Sequence, residues 1–219
     1  MRMTGERIQT KILSMKMIPN ADPLLLEKLS VPEGHRSLGL LTTDCDDVSY
    51  AALDEATKKA DVQVAYARSM YAGSGNASTA LAGEFIGILS GPDPAEVRSG
   101  LDAAAQYIEK DAAFYTANDD GSVVYFAHLI SRTGSYLSAA AGVPEGTSMA
   151  YLIAPPLEAM IGLDAAAKSS GTELKVFYGP PTETNFAGGL LVGEQSACKD
   201  ACEAFARAVQ AVAASPLTY

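Results

Sequence analysis

The chain contains no tryptophan, two histidines and three cysteines. An odd, small number of thiols argues against a disulfide framework and for reduced cysteines. His35 and His128 lie far apart, and no serine or cysteine in a nucleophile motif sits near either, so a catalytic triad has no support. Long apolar runs are missing too, which excludes a membrane-spanning helix. No hydrophobic stretch follows Met1-Arg2-Met3-Thr4-Gly5-Glu6, so no signal peptide is expected and the protein is expected to be cytoplasmic. Positive charge is scarce: 16 Lys and Arg against 26 Asp and Glu leave a formal charge of −10. Nucleic acid and anionic membrane surfaces both need clustered Lys and Arg, so both are excluded as partners. A cationic or neutral small molecule remains open. Ala72-Gly73-Ser74-Gly75-Asn76 is rich in small residues, but no Gly-Lys-Ser/Thr follows, and it is no phosphate-cradling loop.

What the sequence does contain is a repeat. Val31-Pro32-Glu33-Gly34 returns as Val143-Pro144-Glu145-Gly146, from 31 to 143, an offset of 112 residues. The flanks agree. Leu38-Gly39-Leu40-Leu41 after the first copy is matched by Ala150-Tyr151-Leu152-Ile153 after the second, each short enough for a buried strand. Leu53-Asp54 and Lys58 return as Leu163-Asp164 and Lys168, from 53 to 163, an offset of 110, with the length change in a connecting loop. The last helical stripe recurs as well: Val97, Leu101, Ala104, Ile108 against Cys198, Cys202, Phe205, Val209, both spaced four, three, four. With 48% apolar residues available for cores, the chain reads as two tandem domains, 1–111 and 112–219.

Periodicity and turn chemistry place the elements. Residues 8–18 alternate as one half-buried strand, and Asp22 caps a short helix with Pro23 at its first position. A strand at 37–43, a helix from about 48 to 60, strands at 62–68 and 84–89, and a helix opened by Gly91-Pro92-Asp93-Pro94 complete the first half. The second half repeats them: strand 123–131, short helix 136–141, strand 150–153, helix 157–169, strands 174–177 and 189–192, and helix 196–214. Each half is then an α+β unit, a four-stranded antiparallel-rich sheet with helices on one face.

Several groups invite chemistry. Cys198 and Cys202 have helical spacing, but no further ligand stands at a metal-binding interval, and both occupy core-stripe positions. Asp54–Lys58 and Asp164–Lys168 are acid-before-base pairs that suit a solvated helix face, or an equivalent edge used twice in assembly. Asp44, Asp46 and Asp47 crowd a helix start, where one carboxylate suffices as a cap; a bound ammonium or a solvated acidic loop would each account for the others.

The Leu-Asp-x-x-x-x-Lys helix, the glycine-rich hairpin and the closing alanine-rich helix resemble the bacterial microcompartment shell domain. Longer stretches resemble one tandem-domain family in particular, the shell proteins of ethanolamine-utilisation microcompartments. They are Ser37–Val48, Asp54–Lys58, Tyr66–Gly73, Ile130–Ser138, Ala154–Ala159 and Pro180–Phe186. The resemblance implies two circularly permuted, ferredoxin-like shell domains, and a homotrimer of sixfold pseudosymmetry that tiles with other shell proteins. It also implies a central pore lined by the stretches around 70–80 and 179–187 and no catalytic role; no metal or cofactor is assigned, and binding of either at the pore loops stays open. It further implies an ethanolamine site drawn from Asp46, Asp47, Glu84, Phe114, Glu183, Thr184 and Asn185. If the ligand joined the Asp46–Asp47 loop to residues 183–185 only in the closed arrangement, binding would favour closure through its differential affinity alone. Two other classes fit the residues by themselves: a soluble ligand-sensing regulator with duplicated ferredoxin-like domains, and an enzyme using a reactive cysteine.

Overall fold

The computed structural model describes residues 3–70, 84–180, 182 and 186–218. In chain order its elements are β1 (Arg7–Ile8), β2 (Ile12–Ile18), α1 (Pro23–Lys28), β3 (Ser37–Thr43), α2 (Asp46–Lys59), β4 (Gln63–Met70), β5 (Glu84–Gly91) and α3 (Pro94–Lys110). They continue with β6 (Phe114–Thr116), β7 (Val124–Ile130), α4 (Ser135–Ala141), β8 (Ser148–Ala154), α5 (Pro156–Ser170), β9 (Glu173–Tyr178), β10 (Ala187–Gly193) and α6 (Gln195–Ala214). The chain forms two compact units, an amino-terminal one of Thr10–Ala112 with Gly134–Leu137, and a carboxy-terminal one of Met1–Gln9, Ala113–Thr133 and Ser138–Tyr219.

The repeated turn explains why both units share a plan. Pro32 O accepts from His35 N (3.1 Å) and Pro144 O from Thr147 N (3.3 Å), each closing a four-residue turn. The third residue of that turn needs a positive φ, and Gly34 and Gly146 supply +91° and +84°. Each turn hands the chain from a short helix, α1 or α4, to a central strand, β3 or β8.

In the amino-terminal unit the antiparallel sheet runs β2-β3-β5-β4. Leu38 and Leu41 of β3 are fully buried, as are Val97, Ala104 and Ile108 of α3. Helix α3 starts where the sequence indicates: the Asp93 carboxylate accepts from Ala95 N (2.7 Å) and Glu96 N (3.0 Å), with Pro94 at the first position. Asp22 caps α1 likewise, accepting from Leu24 N at 2.9 Å.

The carboxy-terminal unit repeats that order as β7-β8-β10-β9 and adds β6 and β1 at one edge, making six strands where four were expected. The expected strand over 8–18 is two strands. Its first part, β1, pairs with β6 through Arg7↔Tyr115 and Ile8↔Phe114, which moves residues 1–9 into the carboxy-terminal unit and displaces the 111/112 boundary. Alternation reports which face a residue occupies and says nothing of which sheet it joins. Strand β6 leaves no signal in the sequence, because three residues carry no measurable period.

The two cores differ at one matched pair. In the amino-terminal unit Ala52 of α2 and Ala104 of α3 are both fully buried. Their repeat counterparts are Gly162 of α5 and Phe205 of α6, where a Cβ built on the glycine would stand 2.6 Å from the ring. The methyl missing from one helix is what lets the ring on the other approach it so closely.

Candidate functional site

The acidic end of the amino-terminal unit is built where β3 turns into α2. The Thr43 and Ser49 hydroxyls meet at 2.6 Å, and both reach the Cys45 carbonyl, at 2.9 and 2.7 Å. That arrangement fixes the path of the chain into the helix. Asp44 is used locally: its carboxylate accepts from Lys11 N at 2.7 Å, and its own N–H donates to Lys11 O. Asp46 and Asp47 form the first turn of α2, only 5% and 6% exposed, with Asp46 Oδ1 accepting from Asp47 N at 2.9 Å. Two carboxylates at a helix N-terminus sit at the positive end of its dipole.

Sheet register carries Glu84 to the same end. Thr43, the last residue of β3, lies opposite Phe85, and Met70 lies opposite Glu84. Glu84 is half-buried. Tyr50 joins helix to sheet there: its ring meets Phe85 edge-on at 4.9 Å, and its hydroxyl accepts from Ser69 N at 3.1 Å. Burial raises the Tyr50 hydroxyl well above its usual range, with Tyr136 and then Asp46 adding to the effect. The sequence marks Tyr50 only as a tyrosine three residues after a paired aspartate.

Of the other expected ligand residues only Phe114 lies among the described residues. Phe114 belongs to the carboxy-terminal unit, where it is fully buried between Phe126 (5.3 Å) and Phe186 (6.0 Å). Glu183, Thr184 and Asn185 lie outside the described residues, as do residues 71–83 of the first expected pore hairpin and Pro181 of the second.

The cysteines are poor nucleophiles. Cys45 is fully buried, and burial raises its thiol far above the usual value, with Asp46 and Asp47 adding to the shift. Cys202 is raised to about 12, chiefly by burial. Cys198 is fully enclosed in the core, with its sulfur 3.7 Å from the Gly193 carbonyl. A thiolate is the reactive species, and these environments withhold it. His35 bonds Ser90 Oγ at 3.0 Å through Nδ1, while His128 stacks on Phe126 at 5.2 Å in the other unit. Among the described residues no group of three or more His, Cys, Asp or Glu could hold a metal ion.

The matched acid–base pairs have diverged. Asp164 and Lys168 form an exposed ion pair at 2.7 Å. Asp54 is fully buried: its Oδ2 accepts from Gly134 N at 2.7 Å and its Oδ1 from Leu137 N at 2.8 Å, with Lys58 at 3.8 Å. It therefore caps the start of α4. A Cβ at Gly134 would collide with Thr57 Oγ1 and the Asp54 carbonyl, so glycine is what permits the approach.

The BMC domain family matches residues 37–118. A bacterial microcompartment shell protein, EutL of Clostridium perfringens, is 60% identical over 217 residues, spanning 99% of this chain and all of that protein. EutL of Salmonella typhimurium is 49% identical over 210 residues, 96% of each chain. Among solved structures, the ethanolamine utilization protein EutL from Leptotrichia buccalis superposes with a TM-score of 0.94 at 63% identity, covering 99% of this chain and 100% of that one.

Proposed function

The chain belongs to the EutL family of bacterial microcompartment shell proteins, and from that premise we propose that three copies close into a gated tile whose acidic end recognises ethanolamine. As a shell protein it is structural rather than catalytic. In the proposed tile the six shell domains of three chains surround a central pore, lined by the stretches around 70–80 and 179–187, and the tile packs beside other shell proteins. Support for the ring comes from the duplicated unit and from identity that runs the length of the chain.

Support for the ligand comes from one observation above all: Asp46 and Asp47 are buried side by side, with Glu84 at the same end of the sheet. Adjacent buried carboxylates repel, and a cation among them relieves that repulsion. A primary ammonium offers three N–H donors to such acceptors, through charge-assisted hydrogen bonds. The ligand's hydroxyl is left for a neutral partner, for which Asn185 and Thr184 are the proposed residues and Phe114 the proposed apolar neighbour, with Glu183 a further carboxylate.

Gating then follows from affinities. Ethanolamine shifts the pore toward closure only by as much as it prefers the closed state, and moving a pore from 1:99 to 99:1 takes about a 10⁴-fold preference. Replacing Glu84 by Gln removes one charged acceptor while keeping its shape. Loss of such a bond is worth about 1.5–3 kcal/mol, so titration calorimetry with ethanolamine should read about a 10- to 100-fold weaker Kd. Equal affinity in wild type and variant would remove Glu84 from the site.

A further inference from the structure

The outer strand of the amino-terminal sheet differs from its repeat counterpart in what lies beside it. At the offset of 112, β2 (Ile12–Ile18) becomes β7 (Val124–Ile130), residue for residue. Strand β7 is met on its outer edge by β6, with Tyr115 opposite Tyr125 and Thr116 opposite Val124. Among the described residues no strand lies outside β2. Burial follows the difference: Tyr125 and Phe126 are 6% and 0% exposed, whereas Leu13 and Met15 are 48% and 39% exposed and Ser14 and Lys16 are open to solvent. A free edge presents unpaired backbone N–H and C=O groups, and chains blunt such edges with short strands, proline or charge. Strand β2 has seven residues, no proline, and Lys16 as its one charge.

The helix beside this edge completes a surface. Met15 and Met17 lie opposite Leu41 and Gly39 of β3, and a Cβ on Gly39 would meet Val97 and Leu101 of α3. The two methionines therefore share the face that α3 covers. Met15, Lys16, Met17, Arg98, Leu101 and Asp102 line a groove of about 300 Å³. Its floor is thioether and aliphatic, a surface that adapts to different side chains. Its rim carries two cations against one carboxylate, in a chain whose formal charge is −10.

Those cations are unspent. From Val97 to Cys198 the helical stripes are offset by 101, so Arg98 and Asp102 become Lys199 and Glu203, which pair at 3.7 Å. Among the described residues neither Arg98 nor Lys16 has an ion pair.

We propose that β2 and α3 form a docking site for an extended, acidic segment of a partner protein, which adds to the sheet as a strand outside β2. Main-chain hydrogen bonds to the free edge supply affinity, and side chains select the strand. Apolar residues at alternate positions of the incoming segment lie over Met15, Met17 and Leu101, while its carboxylates meet Arg98 and Lys16. Charge complementarity sets the sign of the occupant. Two copies of this chain paired through β2 would set Lys16 and Arg98 of one beside those of the other, and like charges across a strand pair repel. The site is built from one chain's own strand and helix, so it depends on neither the ring nor the ethanolamine reading.

Fluorescence anisotropy with the full chain tests it, using a fluorescein-labelled heptapeptide of alternating valine and glutamate, and the same peptide with lysine in place of glutamate. The glutamate peptide should bind saturably, at least about tenfold more tightly than the lysine peptide, and more weakly as salt is added. Hydrogen exchange across Ile12–Met17 should slow when it binds, because the outward N–H groups of β2 gain partners. Lys16→Gln should weaken binding about twofold to fivefold. Lys16→Glu combined with Arg98→Glu, both on exposed side chains, should reverse the preference between the peptides with an unchanged circular dichroism spectrum. A glutamate peptide that does not bind, equal affinity for the two peptides, or wild-type preference in the charge-reversed chain would overturn the proposal. So would binding that leaves exchange in β2 unaltered. Exchange in β2 that slows with rising chain concentration and no peptide would give the edge to a second copy, and overturn it as well.

Discussion

Asp54→Ala should destabilise the amino-terminal unit by about 2–5 kcal/mol, because it strands two buried N–H groups, each costing about 1–3 kcal/mol when left without a partner. Those groups are Gly134 N and Leu137 N, donors at 2.7 and 2.8 Å to a carboxylate with no exposure. Lys58 keeps a partner in Glu55, so the loss is chiefly the cap. Asp164→Ala, its repeat counterpart, should cost less than about 0.5 kcal/mol, because an exposed pair contributes little. Urea unfolding of the two variants side by side checks the contrast, and equal effects would contradict it. Asp54→Asn should fall between them, since one amide oxygen can still accept while the amide nitrogen faces the second N–H.

The pH dependence of that comparison has a definite sign. Burial raises the Asp54 carboxyl above its ordinary 3.8, outweighing the pull of Gly134 N, Leu137 N and Lys58 in the opposite direction. A group whose folded pKa is raised contributes stability that is full below the unfolded value and is lost as pH climbs through the folded one. Asp54 ionisation therefore does not drive acid unfolding. The margin of wild type over Asp54→Asn should shrink as pH rises from 3.8 through that raised value.

The second large effect lies in the carboxy-terminal core. Phe205→Ala should cost about 3–5 kcal/mol, the range for emptying an aromatic-sized core site. Gly162→Ala should cost about 1–3 kcal/mol, because its methyl would stand 2.6 Å from the Phe205 ring. Made together they should cost less than the sum by at least about 1 kcal/mol, since contacting residues couple on this scale. The pair then restores the Ala52–Ala104 arrangement that the other unit already uses. Strict additivity in denaturant titrations would show that the two helices do not share the space assigned to them.

Much of this fold is legible in the sequence. The returning Val-Pro-Glu-Gly turn announced the duplication, because a positive φ at its glycine is a local demand that sequence displays directly. The stripes on α3 and α6 are legible for the same reason: helical period and burial are one observation. What the sequence does not display depends on distant partners. Whether residues 7 and 8 join one sheet or another is decided by β6, more than a hundred residues away. The two Asp–Lys pairs look alike in sequence, and only the arrival of Gly134 makes Asp54 a buried cap while Asp164 stays in solvent. In the site, Asp46 and Asp47 were legible as helix-start carboxylates, but their burial was not, nor was the placement of Glu84 at the same end by strand register. Phe114 entered only by family resemblance; taken by itself it is a core aromatic stacked among others.

The most direct test of the shell tile is the mass of the purified chain by sedimentation equilibrium. Three chains of 22.8 kDa give about 68 kDa, the value expected across the micromolar range for a closed ring, which a symmetric oligomer adopts in preference to open chains. A mass that stays at 22.8 kDa at every concentration would contradict it.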